Sequence, residues 1–399
     1  VKRSFLQMLL SFFGFVLIGL YSGAFGVLLP DMSRYYGVDK SVIGLIFVTS
    51  SIGYFISALF SSIILERLGM RLFLVVGTIT FFFGALTLGI KPAFGIVLAT
   101  RLFMGLGVAM IEMGLNAYVV AQARHASQLN TLHAFYGAGA LFGPLVAAFL
   151  LTTAWGWSSV FYLWMLLSIP FLLGVALTFS AEPPRVVGSE VENTGTSSAW
   201  IAALKLPIVW LLCIFLLLYV GVEVSVGNWT YSFLVEGRHQ QIALSSWIVS
   251  GYWLGLTLGR FTLSQLARRL RMSDVRLLYI CTIIVALCAI LIWWLPFDSV
   301  AAIGFCIIGY CLGPIYPTTV ALTPSLVPGR VVTSAIGFLV SLSIFGTSVF
   351  PGIAGILAQY FGIWSLLPYN LALTLLMLLF WWIIFRVKRN KTTWQISHH

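Results

Sequence analysis

Two carboxylates, Glu112 and Glu223, stand inside apolar stretches of a 399-residue chain that is 60% hydrophobic and only 8% charged. Charge at membrane depth is costly and marks a functional position by default. Neither acid has a basic neighbour in sequence. Arg101 and Glu112 are three helical turns apart, about 16 Å along one face of a helix, and Asn116 extends that stripe by one more turn. A low-dielectric cavity disfavours the charged form of a carboxylate, the condition under which a proton can be carried. A structural hydrogen bond to a neighbouring helix would also place an acid there. Glu223, Gly227 and Tyr231 recur at four-residue spacing, with Asn228 and Trp229 beside them. His133 precedes Tyr136 by three residues, on one side of a further helix. Trp253 and Tyr316 are candidate ring platforms, although most aromatic residues in such a chain face lipid or its interface.

The elements that position these groups follow from length. A bilayer core of about 30 Å needs about 20 helical residues, and apolar segments of that size recur near 5–29, 41–65, 71–90, 94–123, 128–153, 157–180, 206–235, 242–267, 274–295, 299–325, 331–359 and 362–385. The mean hydropathy is +1.03. Thirty-seven glycines suit close helix packing in lipid better than the alternating strands of a barrel. The expected fold is therefore all-α and integral to the membrane. Lys2-Arg3 ahead of an apolar run imitates a secretory signal, but the run's length and the lack of a small-x-small site make it the first membrane helix.

The net charge of +11 could suggest a nucleic-acid partner. Its distribution argues otherwise. With both termini cytoplasmic, only Arg34, Lys40, Lys91 and Arg238 fall in outer loops, Arg101 and Arg260 lie within helices, and the other sixteen basic residues gather at the inner face. That is the positive-inside pattern of a multi-pass protein of the cell membrane. All five cysteines fall in helical segments without C-x-x-C or histidine at ligand spacing, and read as small apolar packers. No P-loop, dinucleotide fingerprint or nucleophile elbow is present, so neither ATP-driven transport nor an enzyme with a cofactor or metal is expected.

The longest polar stretch, 181–199, has linker composition and divides the helices into an N-terminal half, 1–180, and a C-terminal half, 200–399. Gly19 and Gly221, and Gly107 and Gly309, share one offset of 202, and the same offset carries Glu66-Arg67 onto Arg268-Arg269. Parallel six-helix repeats place a substrate site near the midplane between them.

Residues 62–71, with Glu66, Arg67, Gly69 and Arg71, resemble the G-x-x-x-D-R-x-G-R-R loop of the major facilitator superfamily, with Ser62, Glu66 and Met70 as departures. Arg101, Gly105 and Gly107 are similar to the R-x-x-x-G-x-G of its fourth helix. The resemblance implies a 12-helix bundle of two pseudo-symmetric six-helix halves, with Glu66, Arg67 and Arg71 latching the cytoplasmic ends. Within that superfamily the chain is most similar to the fucose, galactose and glucose symporter branch: Glu112 and Asn116 match its helix four, His133 and Tyr136 its helix five, and Tyr219 to Tyr231 its helix seven. The branch has amides at the His133 and Tyr136 places and an acid in helix one that this chain lacks, Asp31 lying beyond Pro30.

Such a resemblance implies proton-coupled symport of a monosaccharide-like solute by alternating access. Glu112 and Arg101 would couple the proton, and Glu112, Asn116, His133, Tyr136, Glu223, Asn228, Trp229, Tyr231, Trp253 and Tyr316 would meet the solute. Carboxylates and amides beside aromatic planes match the hydroxyls and apolar face of a sugar ring. A sodium site of carboxylate, carbonyls and hydroxyls would draw on the same groups. The competing expectation is a proton-coupled drug or metabolite exporter, since residues 139–148 resemble the G-x-x-x-G-P-x-x-G-G of antiporters, with Ala147 and Ala148 at the last two places. Acids, amides and histidine converging on one pocket would favour the sugar, and a wide apolar cavity with one acid the drug. The partners expected are a small solute, a coupling cation and the bilayer, and a monomer suffices.

Overall fold

The computed structural model describes residues 2–122, 127–181 and 201–396, and its regular elements there are all helical. Among the described residues twelve helices are long and apolar enough to cross a membrane: α1 (Arg3–Tyr36), α2 (Lys40–Ser61), α3 (Ile63–Gly89), α4 (Phe94–Ala121), α5 (Thr131–Leu151), α6 (Ser158–Thr178), α7 (Pro207–Gly237), α8 (Ile242–Arg269), α9 (Asp274–Trp294), α10 (Asp298–Ser325), α11 (Ser334–Phe361) and α12 (Ile363–Arg386). The linker expected at 181–199 lies, from 182 onward, outside the described residues. Large apolar side chains remain exposed along the bundle, Phe149 at 72% and Leu177 at 78% among them. Water would not tolerate that surface, whereas lipid is its natural solvent.

Local chemistry sets the breaks. Asp39 caps α2 by accepting from the Val42 amide at 2.8 Å, and the Ser41 hydroxyl, with that amide, holds its carboxyl below the usual carboxylate range. One helical run, Lys40–Gly89, carries both α2 and α3, and it breaks at Gly69, where φ is 72° and ψ 165°. A Cβ at Gly69 would also collide with the Ala181 carbonyl, so glycine alone satisfies both the backbone and the approach. Within α10 an interruption falls at Gly313-Pro314, between helices Asp298–Leu312 and Ile315–Leu322. By contrast α1 runs on through Pro30 to Tyr36, seven residues past its expected end.

Among the described residues the halves meet chiefly through α1 with α7, α2 with α11 and α5 with α8. Exchanging the halves maps α2 onto α8 and α5 onto α11, so the last two pairs are equivalent and α1 with α7 lies on the pseudo-two-fold axis. The glycines of the sequence repeat agree: Gly19 of α1 packs on the Tyr136 backbone of α5, and Gly221 of α7 packs on Phe350 of α11.

Candidate functional site between the halves

Glycine spacing places the polar stripe of α4. A Cβ at Gly105 would collide with the Ser50 carbonyl of α2, and one at Gly107 would crowd the Gly77 carbonyl of α3. Bare backbone at both positions draws α4 in against two neighbours and aims Arg101 and Glu112 at a cavity of about 270 Å³ between the halves. Walls come from α1, α2, α4 and α5 on one side and from α7, α8 and α11 on the other.

The two acids that sequence treats alike have different surroundings. Glu223 is bound to Arg260 of α8, with Oε1 3.0 Å from Nη2, and the Tyr252 hydroxyl donates to its backbone carbonyl at 2.7 Å. Glu112 has no basic partner among the described residues. The Tyr54 hydroxyl of α2 lies beside its carboxylate.

Arg101 is only 4% exposed. Its Nη1 donates to the Tyr21 hydroxyl, its guanidinium lies 4.0 Å from the centre of the Phe25 ring, and its Nε is buried without an acceptor. Tyr136 lines the cavity with its hydroxyl beside Ser22. Asn228 lines it too, its amide donating to the Val224 carbonyl at 3.0 Å. Trp253 lies in the opposite wall, its indole against bare Gly227.

Thus Arg101, Glu112, Tyr136, Glu223, Asn228 and Trp253 converge on one space. The other sequence candidates lie outside that wall. Asn116, a turn beyond Glu112, has its Oδ1 buried without a donor. His133 is exposed and meets Phe15 edge-on at 5.4 Å. Tyr231 is buried at 2% exposure, and Tyr316 packs beside Tyr219 at 6.1 Å. Trp229 donates to the Pro351 carbonyl at 2.9 Å and, with Phe47 at 6.5 Å and Phe25 at 6.0 Å from Phe47, forms an aromatic plug across the halves.

Beyond the plug Lys40 of α2 pairs with Glu236 of α7 at 2.7 Å, and the Lys40 amide donates to Gln359 of α11 at 3.0 Å. The cavity is therefore shut at the Lys40 end. At the other end Glu66 and Arg67 are exposed and make no ion pair among the described residues. Arg71 is held within its own half, donating to the Phe179 carbonyl at 2.7 Å.

Sequence reasoning missed Arg260, Tyr54 and the Lys40–Glu236 pair. The signal for Arg260 was present: a lone base within a membrane helix needs an acid, and Glu223 was the candidate on α7. Residues 139–148 also find a plain use, since Gly139 and Gly143 let α5 press against the α1 backbone at Leu20 and Ala24.

A family model described as Major Facilitator Superfamily matches residues 11–339 and, in a second match, 245–397. The chain is 24% identical over 391 residues to Bypass of stop codon protein 6 of Saccharomyces cerevisiae, spanning 90% of this chain and 78% of that protein. It is 23% identical over 313 residues to the Glucose/mannose transporter GlcP of Bacillus subtilis, spanning 75% of this chain and 74% of that protein. A crystal structure of the nucleoside transporter NupG superposes with a TM-score of 0.80 at 14% identity, covering 96% of this chain and 100% of that one. At that identity the likeness establishes the fold.

Proposed function

The chain belongs to the major facilitator superfamily, and from that premise we propose that it is a proton-coupled symporter of a monosaccharide-sized polar solute, working by alternating access around the cavity between its halves. The observation that carries this reading is the contrast between the two acids: Glu223 is neutralised by Arg260, while Glu112 faces the cavity with only a hydroxyl beside it. A permanently paired carboxylate has no reason to change its protonation in the cycle. Glu112 has one.

In this reading a proton on Glu112 removes a buried negative charge, and the solute enters among Tyr136, Asn228, Glu223 and Trp253. Arg101, on the same face of α4, lines the same space. With the Lys40 end shut and no ion pair at Glu66 or Arg67 among the described residues, this reading has the cavity facing the basic side, taken as the cytoplasm from the positive-inside pattern. Return to the outward state would engage Glu66 and Arg67 as the latch. The steps are binding, proton uptake and rearrangement of helices, with no covalent chemistry.

Size and lining support a sugar-like solute. A space of about 270 Å³ is at the lower edge of small-molecule pockets, which run to about 1,000 Å³, and it fits one pyranose ring better than a drug-sized amphiphile. Similarity to a glucose/mannose transporter points the same way. Gly139 and Gly143 of the stretch that suggested an exporter pack α5 on α1, a use that either reading allows.

The test is uptake into proteoliposomes under an imposed proton gradient. Replacement Glu112→Gln is expected to abolish uphill accumulation while equilibrium exchange persists. Full gradient-driven uptake by that variant would remove Glu112 from the coupling step.

A further inference from the structure

Arg101 has more charge and more hydrogen-bonding capacity than the protein uses. Its guanidinium is buried at 4% exposure. Nη1 is satisfied by the Tyr21 hydroxyl and one face of the group by the Phe25 ring, yet no carboxylate pairs with it among the described residues and Nε has no acceptor at all. A buried guanidinium without a counter-ion is a costly arrangement, and Arg101 lines the same cavity as Glu112. We propose that the solute supplies the missing partner: it is a monosaccharide-sized carboxylate, a sugar acid, whose single negative charge docks on Arg101.

Charge counting across the cavity leads to the same class. Among the described residues the acids and bases that line it or pair into it are Arg101, Glu112, Glu223 and Arg260, beside the hydroxyls of Tyr21, Tyr54 and Tyr136. Glu223 and Arg260 cancel. With the cavity empty and Glu112 ionised, Arg101 and Glu112 cancel as well, so the empty carrier buries no net charge. Loading a neutral sugar together with a proton on Glu112 would leave one uncompensated positive charge between the halves. Loading a monoanion with that proton returns the sum to zero. An occluded state with net charge in low dielectric is penalised, so the two forms able to cross between orientations are the empty ionised carrier and the carrier holding one anion and one proton. A phosphate monoester, with a charge of about −1.5 to −2, would overshoot the balance. A planar guanidinium suits the two oxygens of a carboxylate.

This inference rests on the cavity being the solute site, and the experiment separates the two. Equilibrium exchange is measured in proteoliposomes of the full chain with matched pairs that share a ring and differ only at C6: glucose with glucuronate, galactose with galacturonate. The proposal expects the acid of at least one pair to exchange about tenfold or more faster than its neutral partner, and Arg101→Gln to weaken exchange of that acid roughly 10- to 100-fold, the range of a lost charge-assisted hydrogen bond. Arg101→Lys, which keeps the charge and loses the fork, should recover part of it. Tyr21→Phe keeps the guanidinium and is expected to retain the preference for the acid. A neutral sugar exchanged better than its acid, with that order unchanged in Arg101→Gln, would overturn the proposal and leave the symporter reading standing. Equal damage to both members of a pair by Arg101→Gln and Tyr21→Phe would make Arg101 a packing residue and also overturn it. Exchange of no member of either pair by the wild-type chain would overturn both.

Discussion

Glu112 and Glu223 were indistinguishable as letters in an apolar run, and what separates them is a partner on another helix. Arg260 lies 37 residues from Glu223 in sequence and 3.0 Å from it in space. Removing one member of such a pair should be worse than removing both, because the remaining charge is left in a half-buried setting. Glu223→Gln is expected to lower stability by about 1–3 kcal/mol, below the ~3–5 kcal/mol of a sealed pair because Arg260 is 31% exposed. The double variant Glu223→Gln/Arg260→Gln should regain part of that loss, as thermal unfolding in detergent would show; a double variant no better than the single would mean that a lone Arg260 carries no penalty there. This pairing also explains why the site was only partly legible. Residue type and helical spacing identified Glu112, Arg101, Tyr136 and Asn228 as facing inward, since an interior face is a property of one helix. Tyr54 and Arg260 became significant only through contacts between helices, and Trp229 reads as a site aromatic in sequence while its indole N–H is committed to the Pro351 carbonyl.

At the scale of the element, the two glycines after Arg101 are structural in a specific way. Gly105 meets α2 and Gly107 meets α3, so the motif is a condition for α4 to lie deep enough to present its acid. Gly105→Val is expected to push α4 off the Ser50 carbonyl and destabilise the protein by about 1–3 kcal/mol, the range of overpacked cores. Exchange should fall with it, and a valine variant with unchanged unfolding temperature and transport would refute the close approach. Helix existence was legible throughout, because about 20 apolar residues in a row have few other fates. Helix ends were less so. Pro30 suggested a stop, but near the end of a helix a missing N–H removes only one bond, and α1 continues to Tyr36. The break in α10 falls where Gly313 and Pro314 act together.

At the scale of the whole molecule, the pairings α1 with α7, α2 with α11 and α5 with α8 make a rocker of two similar bodies, and the Lys40–Glu236 pair fastens one end of it. The pair is about a quarter to a third exposed, so it is worth about 0.5–1 kcal/mol, enough to change a two-state population roughly two- to fivefold. Lys40→Gln is therefore expected to open the Lys40 end more often. In a background with the five cysteines replaced, labelling of Ser50→Cys in the cavity wall by an impermeant maleimide from that side should quicken two- to fivefold; an unchanged rate would show that the aromatic plug alone holds the end shut. The symmetry was visible in sequence through one offset shared by a few glycines, whereas the closed end was not, because Lys40 and Glu236 come from different halves and neither is unusual near a membrane surface.

The central claim is that Glu112 moves a proton together with the solute. The most direct measurement is a pH-electrode recording on weakly buffered proteoliposomes while hexoses, deoxyhexoses and hexuronates are added in turn, with Glu112→Gln as the control. Solute-dependent alkalinisation of the external medium, absent in the control, is the result predicted. Solute entry without any pH change, or an alkalinisation that persists in Glu112→Gln, would contradict it.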